Sequence, residues 1–458
     1  MMKKLMLICA PVTSRSGYGA HARDLVLSFL KHDKYDIHII DVSWGDCPRN
    51  ALDINKKNDK NISDCILSEP TLPKQPDVYV DIRIPNEFET LGKFNIGITA
   101  GIETTAVSGK WIECCNKMDL IIVPSEHSKA GFVESVYDAV QQAPDGSQQK
   151  VGELRLEKPI EVLFEGADED IYKPLENDEI DDEFFDSLNE KVPEQFAFLF
   201  VGQWVKGGFG KDRKNIFKLI KIFYESFANK KKQPALILKT NGSTYSILDR
   251  EDCLNKIKQV KSMFPKNWKL PNIYLLHGSF SDKQMNYLYN HPKIKSMVSL
   301  THGEGFGRPL LEATMTGLPV ITSGWSGQMD FLDKDRSILI GGELKKVPKS
   351  ARWKDIIIKE SQWFEVDDNI VHKALAFTFE NPYDIKNKGK SLMNINKEVF
   401  TLNKMSEKLN EIMDKYMDST PKQVNLILPK LSKSVDKKEP PKIKLPKLDK
   451  INSDGVSL

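Results

Sequence analysis

Short apolar runs recur along the first third of the chain, separated by stretches with helical spacing. The runs are rich in Ile and Val and lie at 4–10, 36–42, 77–82, 94–99 and 119–123. Runs of this length are typical of strands that are buried on both faces of a parallel sheet. Between them, 20–32 and 126–137 have one apolar face each, and Ser125 is a predicted N-cap. The alternation predicts an α/β domain.

A second series of apolar runs begins after a break in the pattern. Residues 140–158 are Gln-rich and contain Pro-Asp-Gly, which predicts an exposed loop, and the acidic residues 176–195 predict a solvated connector. The later runs lie at 196–201, 235–239, 273–276, 296–300, 318–322 and 337–340. We therefore predict two α/β domains in tandem, followed by a helix over 396–416.

The end of the chain differs from the rest in composition and charge. Lys and Arg number 66 and Asp and Glu number 64, so the formal net charge is +2. Residues 421–458 hold nine Lys against four acidic residues, which gives +5 for this tail and 2 − 5 = −3 for the remainder. Pro alternates with Lys there, so we predict a disordered tail over 420–458, either a solubilising extension or a contact for acidic surfaces. No charge pattern indicates nucleic-acid binding.

The cysteines and the N-terminus give information about the cellular compartment of the protein. Six Cys are scattered without the spacing of a zinc site, which favours free thiols in a reducing compartment. The apolar run 4–10 follows two lysines and imitates a short signal peptide, but a first buried strand explains it better. No run approaches the roughly 20 apolar residues of a membrane-spanning helix. We predict a cytoplasmic protein and leave peripheral membrane contact open.

The most informative segment follows the fourth predicted strand of the second series. Residues 301–313 read Thr-His-Gly-Glu-Gly-Phe-Gly-Arg-Pro-Leu-Leu-Glu-Ala, with a proline where a helix should start. Gly305 and Gly307 allow a ligand to approach the backbone, and the unpaired N–H groups of a helix start attract phosphate. Glu304 and Glu312 flank this turn, where a carboxylate can bind the hydroxyls of a sugar or ribose.

This segment resembles the retaining glycosyltransferases of family 4, which have the GT-B fold. Their Glu-x7-Glu motif matches Glu304 and Glu312, and the sequence from there to 332 is also similar. Weaker similarity is found at 99–105, 118–125 and 160–174. The resemblance covers about residues 4–395, apart from 140–158 and 343–362.

The resemblance implies two Rossmann-like domains that face each other across a cleft. Residues 1–170 would bind the acceptor, 171–195 would link the domains, and 196–395 would bind a nucleotide-diphosphate sugar. A helix at about 396–418 would pack back on the first domain. The implied reaction moves a hexose to a hydroxyl of a glycan, a lipid or another acceptor. It proceeds with retention of configuration and without a metal ion or other cofactor.

The resemblance also implies roles for residues in and near the motif. Glu312 would bind the ribose of the donor, and Glu304 would contact the transferred sugar. Backbone groups of Gly305, Phe306 and Gly307 would contact the sugar and phosphates. The motif residues therefore form the expected donor site.

A pair of basic residues is expected after the first strand of the second domain, to stabilise the charge on the leaving diphosphate. The family usually has an Arg there, followed by a Lys, but this chain has Gln203 at the first position. Lys214 matches the Lys best. Arg213, Lys206 or Lys211 can replace the missing Arg.

Two parts of the first domain complete the predicted site. Gly17 and Gly19 follow the first strand, where the family has a glycine loop near the donor phosphates. Glu103 lies at a predicted strand end, where ligands of α/β sheets bind. It would orient or deprotonate the acceptor hydroxyl, and a structural role is the alternative.

Two other interpretations stay open. Gly17 and Gly19 also fit a G-x-G-x-x-A dinucleotide fingerprint with Asp41 as the ribose-binding acid, which indicates an NAD- or FAD-dependent oxidoreductase. The glycines stand too far beyond the first strand for that fingerprint. The departure at Gln203 leaves room for a catalytically silent GT-B-like binding module, but the presence of both motif glutamates favours an enzyme.

Overall fold

The computed structural model describes residues 3–142, 148–176, 182–204, 211–242 and 244–417. Met1–Asp418 form one compact unit, which contains two parallel six-stranded sheets. The predicted tail at 420–458 and the candidate Lys206 lie outside the described residues.

The first sheet is built from the apolar runs at the start of the chain. Its strands follow the order β2 (Tyr35–Asp41), β1 (Lys4–Ala10), β3 (Val78–Ile82), β4 (Phe94–Ile98), β5 (Leu120–Val123) and β8 (Ile160–Val162). The helices of this domain are α1 (Gly17–His32), α2 (Lys57–Asp64), α3 (Gly109–Cys115) and α4 (Glu126–Glu134). Ile8 of β1 pairs with Ile39 on one side and with Val80 on the other, and all three are fully buried. Burial from both faces accounts for the unbroken apolar runs.

The second sheet has the strand order 3-2-1-4-5-6 of nucleotide-binding Rossmann sheets. Its strands are β11 (Ile273–Leu276), β10 (Ala235–Asn241), β9 (Ala197–Gln203), β12 (Ile294–Ser299), β13 (Val320–Ser323) and β14 (Ile338–Ile340). The helices of this part are α5 (Asp182–Lys191), α6 (Ile216–Phe227), α7 (Ile247–Lys261), α8 (Asp282–Asn290), α9 (Arg308–Met315) and α10 (Asp368–Glu380). Phe198, Phe200 and Phe223 fill the core on one face of this sheet.

Each sheet has a point where the order of strands reverses, between β1 and β3 in the first and between β9 and β12 in the second. Ligands of open α/β sheets bind beyond the carboxyl ends of the strands at such a point. The segments that leave β9 and β12 contain Lys214 and Glu304. The topology alone therefore places these two residues close together.

Two antiparallel hairpins are added to the sheets. One pairs β6 (Tyr137–Gln142) with β7 (Gln148–Leu154), and the other pairs β15 (Gly342–Lys346) with β16 (Gln362–Val366). The predicted loop over 140–158 is therefore wrong where β6 and β7 lie. These strands are largely polar, so they lack the apolar run on which strand predictions depend.

The chain crosses twice between the two sheets. The first crossing contains α5, so the predicted solvated connector over 176–195 is wrong for this helix, where Leu188 is buried. The second crossing leads from α11 (Pro382–Val399) to α12 (Leu402–Met417), which packs on α1. The predicted single helix over 396–416 is therefore two helices.

The break between α11 and α12 has a structural cause. The Ala167 N–H donates to the Phe400 carbonyl at 3.0 Å, and the Leu402 N–H donates to the Ala167 carbonyl at 2.7 Å. These bonds form a parallel β-bridge between Ala167 and Thr401, so the backbone at residue 401 leaves the helical path. No helix in the described ranges is both long and apolar enough to cross a membrane.

Candidate active site

The motif segment lies at the carboxyl edge of the second sheet, between β12 and α9. Gly307 precedes α9 with a φ of 103°, a conformation that favours glycine. The Glu304 N–H donates to the Ser326 hydroxyl at 2.9 Å, and the Gly327 N–H donates to the Glu304 carbonyl at 3.0 Å. The loop after β13 therefore fixes the position of Glu304.

Glycines of the motif lie directly against the first domain. A Cβ atom on Gly303 would stand 2.1 Å from the Glu103 carbonyl oxygen, and one on Gly305 would stand 2.0 Å from that of Ala100. The Ser125 hydroxyl, which caps α4, also donates to the Gly305 carbonyl at 2.6 Å. Glycine is therefore required here for close approach of the two domains, and the site is formed at their junction.

The Glu304 carboxylate is held by two basic residues that follow β9. The Lys214 ammonium donates to its two oxygens at 2.5 and 2.7 Å, and an Arg213 guanidinium nitrogen lies 3.5 Å from it. The same Arg213 nitrogen lies 3.1 Å from a Glu103 oxygen. Arg213 thus joins carboxylates from both domains. Gln203 is at the exposed end of β9, and the exposed Lys211 makes no ion pair with the described residues.

Electrostatics favour the charged form of Glu304. Its side chain is 9% exposed, and that of Lys214 is 12% exposed. Burial would raise the pKa of Glu304, but the charges of Lys214 and Arg213 outweigh burial and hold the pKa below its usual value. The site therefore contains a carboxylate and two cations in a largely dehydrated setting, where charges interact strongly.

Glu312 occupies a different environment one turn into α9. Arg308 Nε donates to one of its oxygens at 3.0 Å, and the Tyr289 hydroxyl donates to the other at 3.3 Å. Burial nevertheless raises the pKa of Glu312 to about 7. Arg308 is also paired with Asp24 of α1, so this ion cluster spans the domain junction.

The backbone of the motif offers unpaired donors. The N–H groups of Gly305, Phe306, Gly307 and Arg308 donate to none of the described residues, and no side chain caps α9. The Phe306 ring is buried against Phe331, which leaves its backbone for a ligand. A run of free N–H groups at a helix start is suited to bind an anionic group.

The predicted glycines of the first domain lie within the first turn of α1. Ser16 caps this helix, because its hydroxyl accepts from the Gly19 N–H at 3.0 Å. A Cβ on Gly19 would stand 2.2 Å from the Ser14 carbonyl oxygen, whereas nothing lies within 4 Å of a Cβ on Gly17. Gly19 is therefore covered by the chain itself, and Gly17 is open.

Asp41, the acid of the dinucleotide fingerprint, accepts hydrogen bonds from neighbouring protein groups. One oxygen of Asp41 accepts from the Thr13 N–H at 3.1 Å, and the other accepts from the Thr13 hydroxyl and from Arg49, each at 2.6 Å. Asp41 thus anchors the turn after β1. This role in anchoring the turn explains the acid without a ribose, so Asp41 gives no support to the oxidoreductase alternative.

The junction between the domains contains further residues whose place in the site was not predicted from the sequence pattern. Arg308 was visible inside the motif, but its pairing with Asp24 depends on a residue 284 positions earlier. Glu165 is only 7% exposed and lies in the segment after β8, within the region similar to family 4. His302 is completely buried and stacks on Trp363, so it has a packing role beside the motif. In the described ranges, no group of His, Cys, Asp or Glu is arranged as metal ligands are.

Comparisons with known proteins establish the fold. No family model matches the sequence, and no curated protein does. Among solved structures, HepE of Anabaena in complex with UDP-glucose is 12% identical over 90% of this chain and 100% of that chain, with a TM-score of 0.57. Sucrose-phosphate synthase from Thermosynechococcus elongatus is 11% identical over 91% and 100%, with a TM-score of 0.58.

A third similar structure is α,α-trehalose 6-phosphate synthase from Burkholderia multivorans. It is 9% identical over 91% of this chain and 99% of that chain, with a TM-score of 0.52. Sequence identities this low establish a shared fold but not a shared activity. The expected architecture is confirmed: the chain has the GT-B fold, with two Rossmann-like domains.

Proposed function

We propose that this protein is a glycosyltransferase that moves a hexose from a nucleotide-diphosphate sugar to an acceptor hydroxyl. The observation that carries the proposal is the cluster of Glu304, Lys214 and Arg213 beside the uncapped start of α9. It stands at the point of the second sheet where ligands bind. Proteins of the same fold support the proposal, since one of them was solved with UDP-glucose.

The donor would be held by groups of the second domain. Glu312 would accept hydrogen bonds from the ribose, and Glu304 would accept them from the transferred sugar. The free N–H groups of residues 305–308 would bind the diphosphate. Lys214 and Arg213 would stabilise the negative charge that develops on it as it leaves, which is the task of a metal ion in other transferases. We therefore propose a reaction that needs no metal ion.

The acceptor would enter from the first domain, beside Glu103. We propose transfer with retention: the acceptor oxygen bonds to the anomeric carbon as the bond from that carbon to the diphosphate breaks. The acceptor proton passes to the departing phosphate oxygen on the same face. Glu103, held by Arg213, would orient the acceptor hydroxyl. The protein then acts mainly through positioning and charge stabilisation. The six free cysteines fit the cytoplasm that we propose as its location.

A nucleotide panel tests the proposal. Thermal shifts and calorimetry would be recorded with UDP, GDP, ADP, NAD and FAD in the presence of EDTA. We expect one nucleoside diphosphate to raise the melting temperature without metal, because ligands that bind the folded state stabilise it. Product analysis with the matching nucleotide sugars would then identify the transferred hexose. A response to NAD or FAD alone would contradict the proposal, and silence throughout would favour the binding module.

A further inference from the structure

One buried carboxyl at the domain junction has no partner. Five carboxylates are buried in the described part of the chain: Asp81, Glu165, Asp212, Glu304 and Glu312. Four of them accept hydrogen bonds from neighbouring residues. Glu165, which is 7% exposed, makes no hydrogen bond and no ion pair with any described residue. The fully buried polar atoms that lack a partner do not include the Glu165 oxygens, so these oxygens keep some contact with solvent and are open to a ligand.

The backbone on both sides of Glu165 is fixed. The Leu163 N–H donates to the Val123 carbonyl at 2.9 Å, and the Gly166 N–H donates to the Met405 sulfur at 3.3 Å. Ala167 pairs with the backbone of the second crossing, as described above. The backbone that carries Glu165 is therefore held in position before any ligand arrives.

The charges around Glu165 belong mostly to the candidate donor site. In order of strength they are those of Arg308, Asp24, Glu312 and Glu304. Three of these four residues come from the motif segment. Burial raises the pKa of Glu165 to about 7, with Arg308 acting in the opposite direction. Because Glu165 has no partner of its own, every acceptor position of its carboxyl is open to a ligand, whereas Glu304 and Glu312 each already accept from protein side chains.

We propose that Glu165 is a third substrate-binding carboxyl of this site, and that it hydrogen-bonds a hydroxyl of the nucleotide-sugar donor. This inference rests on the proposed function, since it presupposes that the donor lies against α9. The shared chemistry is a vicinal hydroxyl, and its source is either the ribose or the transferred sugar. In either case Glu165 acts together with Glu304 and Glu312 as a donor-binding carboxyl.

The test compares Glu165→Gln and Glu165→Ala with the wild type. The probes are the nucleoside diphosphate that binds in the panel above, its 2′,3′-dideoxy analogue and the matching nucleotide sugar. Asp170→Asn is the control, because it removes one negative charge from an exposed position five residues along the same segment. If the ribose is the source, Glu165→Ala should weaken diphosphate binding about 10-fold, and it should leave binding of the dideoxy analogue unchanged.

If the transferred sugar is the source, diphosphate binding should stay the same while the KM for the nucleotide sugar rises about 10-fold. Both results support the proposal. Donor binding and donor KM equal to the wild type in both variants would overturn it, as would an effect on the acceptor KM alone. Failure of the wild type itself to bind any nucleoside diphosphate would instead contradict the proposed function.

Thermal stability separates a binding role from a structural one. Removing an unpaired buried carboxyl should leave the melting temperature of the unliganded protein unchanged or raise it, since binding groups are often kept at a cost in stability. A lower melting temperature in Glu165→Gln, with donor binding intact, would show a structural role and overturn the proposal.

Discussion

Each of the two domains contains a glycine-containing turn between a strand and a helix, but the backbone groups of the two turns have different partners. At the start of α1, the Ser16 hydroxyl takes up the Gly19 N–H, and the Ser14 carbonyl covers Gly19. At the start of α9 no side chain acts as a cap, and Gly307 adopts a positive φ. At α1 a side chain thus takes up one N–H group of the turn, that of Gly19, whereas no side chain takes up those at the start of α9.

This difference shows why glycine spacing alone is weak evidence for a ligand site. Both turns have the glycines of a nucleotide-binding loop, but what matters is which backbone groups the surrounding residues leave unpaired. Asp41 makes the same point, because its oxygens are already engaged by Thr13 and Arg49. Variants at the α9 turn should therefore affect transfer, and variants at the α1 turn should affect stability at most.

The largest effect is expected when the cation that holds Glu304 is removed. Lys214→Met should lower kcat by about 10²–10³-fold, because a charge that stabilises the transition state is lost in a buried site. The measurement is transfer under saturating donor. Lys221→Met is the matched control, since Lys221 lies within α6 in a partly exposed pair with Glu225, away from the motif. If kcat fell equally in the two variants, Lys214 would have no special role in the active site.

The second effect concerns pH. The pKa of Glu312 is raised to about 7 by burial, above the value of about 4.3 expected for an unfolded chain. The folded state therefore holds a proton that the unfolded state releases, and the free energy of unfolding should fall as pH rises from about 4.5 to 7. We expect this group to account for about 1–3 kcal/mol.

Urea unfolding of wild type and Glu312→Gln across this pH range would measure the contribution of Glu312. The difference between the two proteins should grow in favour of the variant as pH rises. Glu126→Gln, at an exposed carboxyl on α4, is the control and should follow the wild type. Parallel curves for Glu312→Gln and wild type would contradict the assigned shift.

The third effect tests the turn geometry. Gly307→Ala should destabilise the fold by about 1–2 kcal/mol, because a side chain at positive φ is strained, and it should weaken binding of the nucleoside diphosphate. Gly17→Ala is the matched variant in α1, where a Cβ meets nothing within 4 Å. It should change neither property measurably. Chemical denaturation and calorimetry on both variants would check this contrast.

The smallest effect is expected at the helix cap of the first domain. Ser16→Ala should cost about 1 kcal/mol of stability, because the Gly19 N–H loses its acceptor. Donor affinity and kcat should remain those of the wild type. A loss of transfer without a loss of stability would mean that the α1 turn belongs to the active site after all.

The positions of most strands and the motif could be predicted from the sequence because both depend on local patterns. Buried parallel strands are marked by continuous apolar runs, and most observed strands begin and end within two residues of the predicted positions. The polar hairpin of β6 and β7 has no such run. In α5, the periodic spacing of Phe184 and Leu188 was present but was outweighed by acidic composition.

The partners of the site residues could not be predicted, because they come from distant parts of the chain. Arg213 lies between Glu103 and Glu304, and Arg308 pairs with Asp24, only because the two domains contact each other. The break after α11 likewise depends on Ala167, which is more than 200 residues away. Sequence patterns identify which residues carry chemistry, but their mutual contacts depend on the tertiary fold.

The return of α12 to the first domain has a consequence for biosynthesis. The ribosome releases the first sheet early, but the helix that covers α1 is made only after the whole second domain. Until then, the surface that α12 will cover stays open, including the groups that later bond to Ser406 and Asp414. Domains tend to fold as they emerge, in order from the N-terminus. Here the first domain to begin folding is the last to be completed, so a nascent chain that stops before residue 402 would leave that surface available to chaperones.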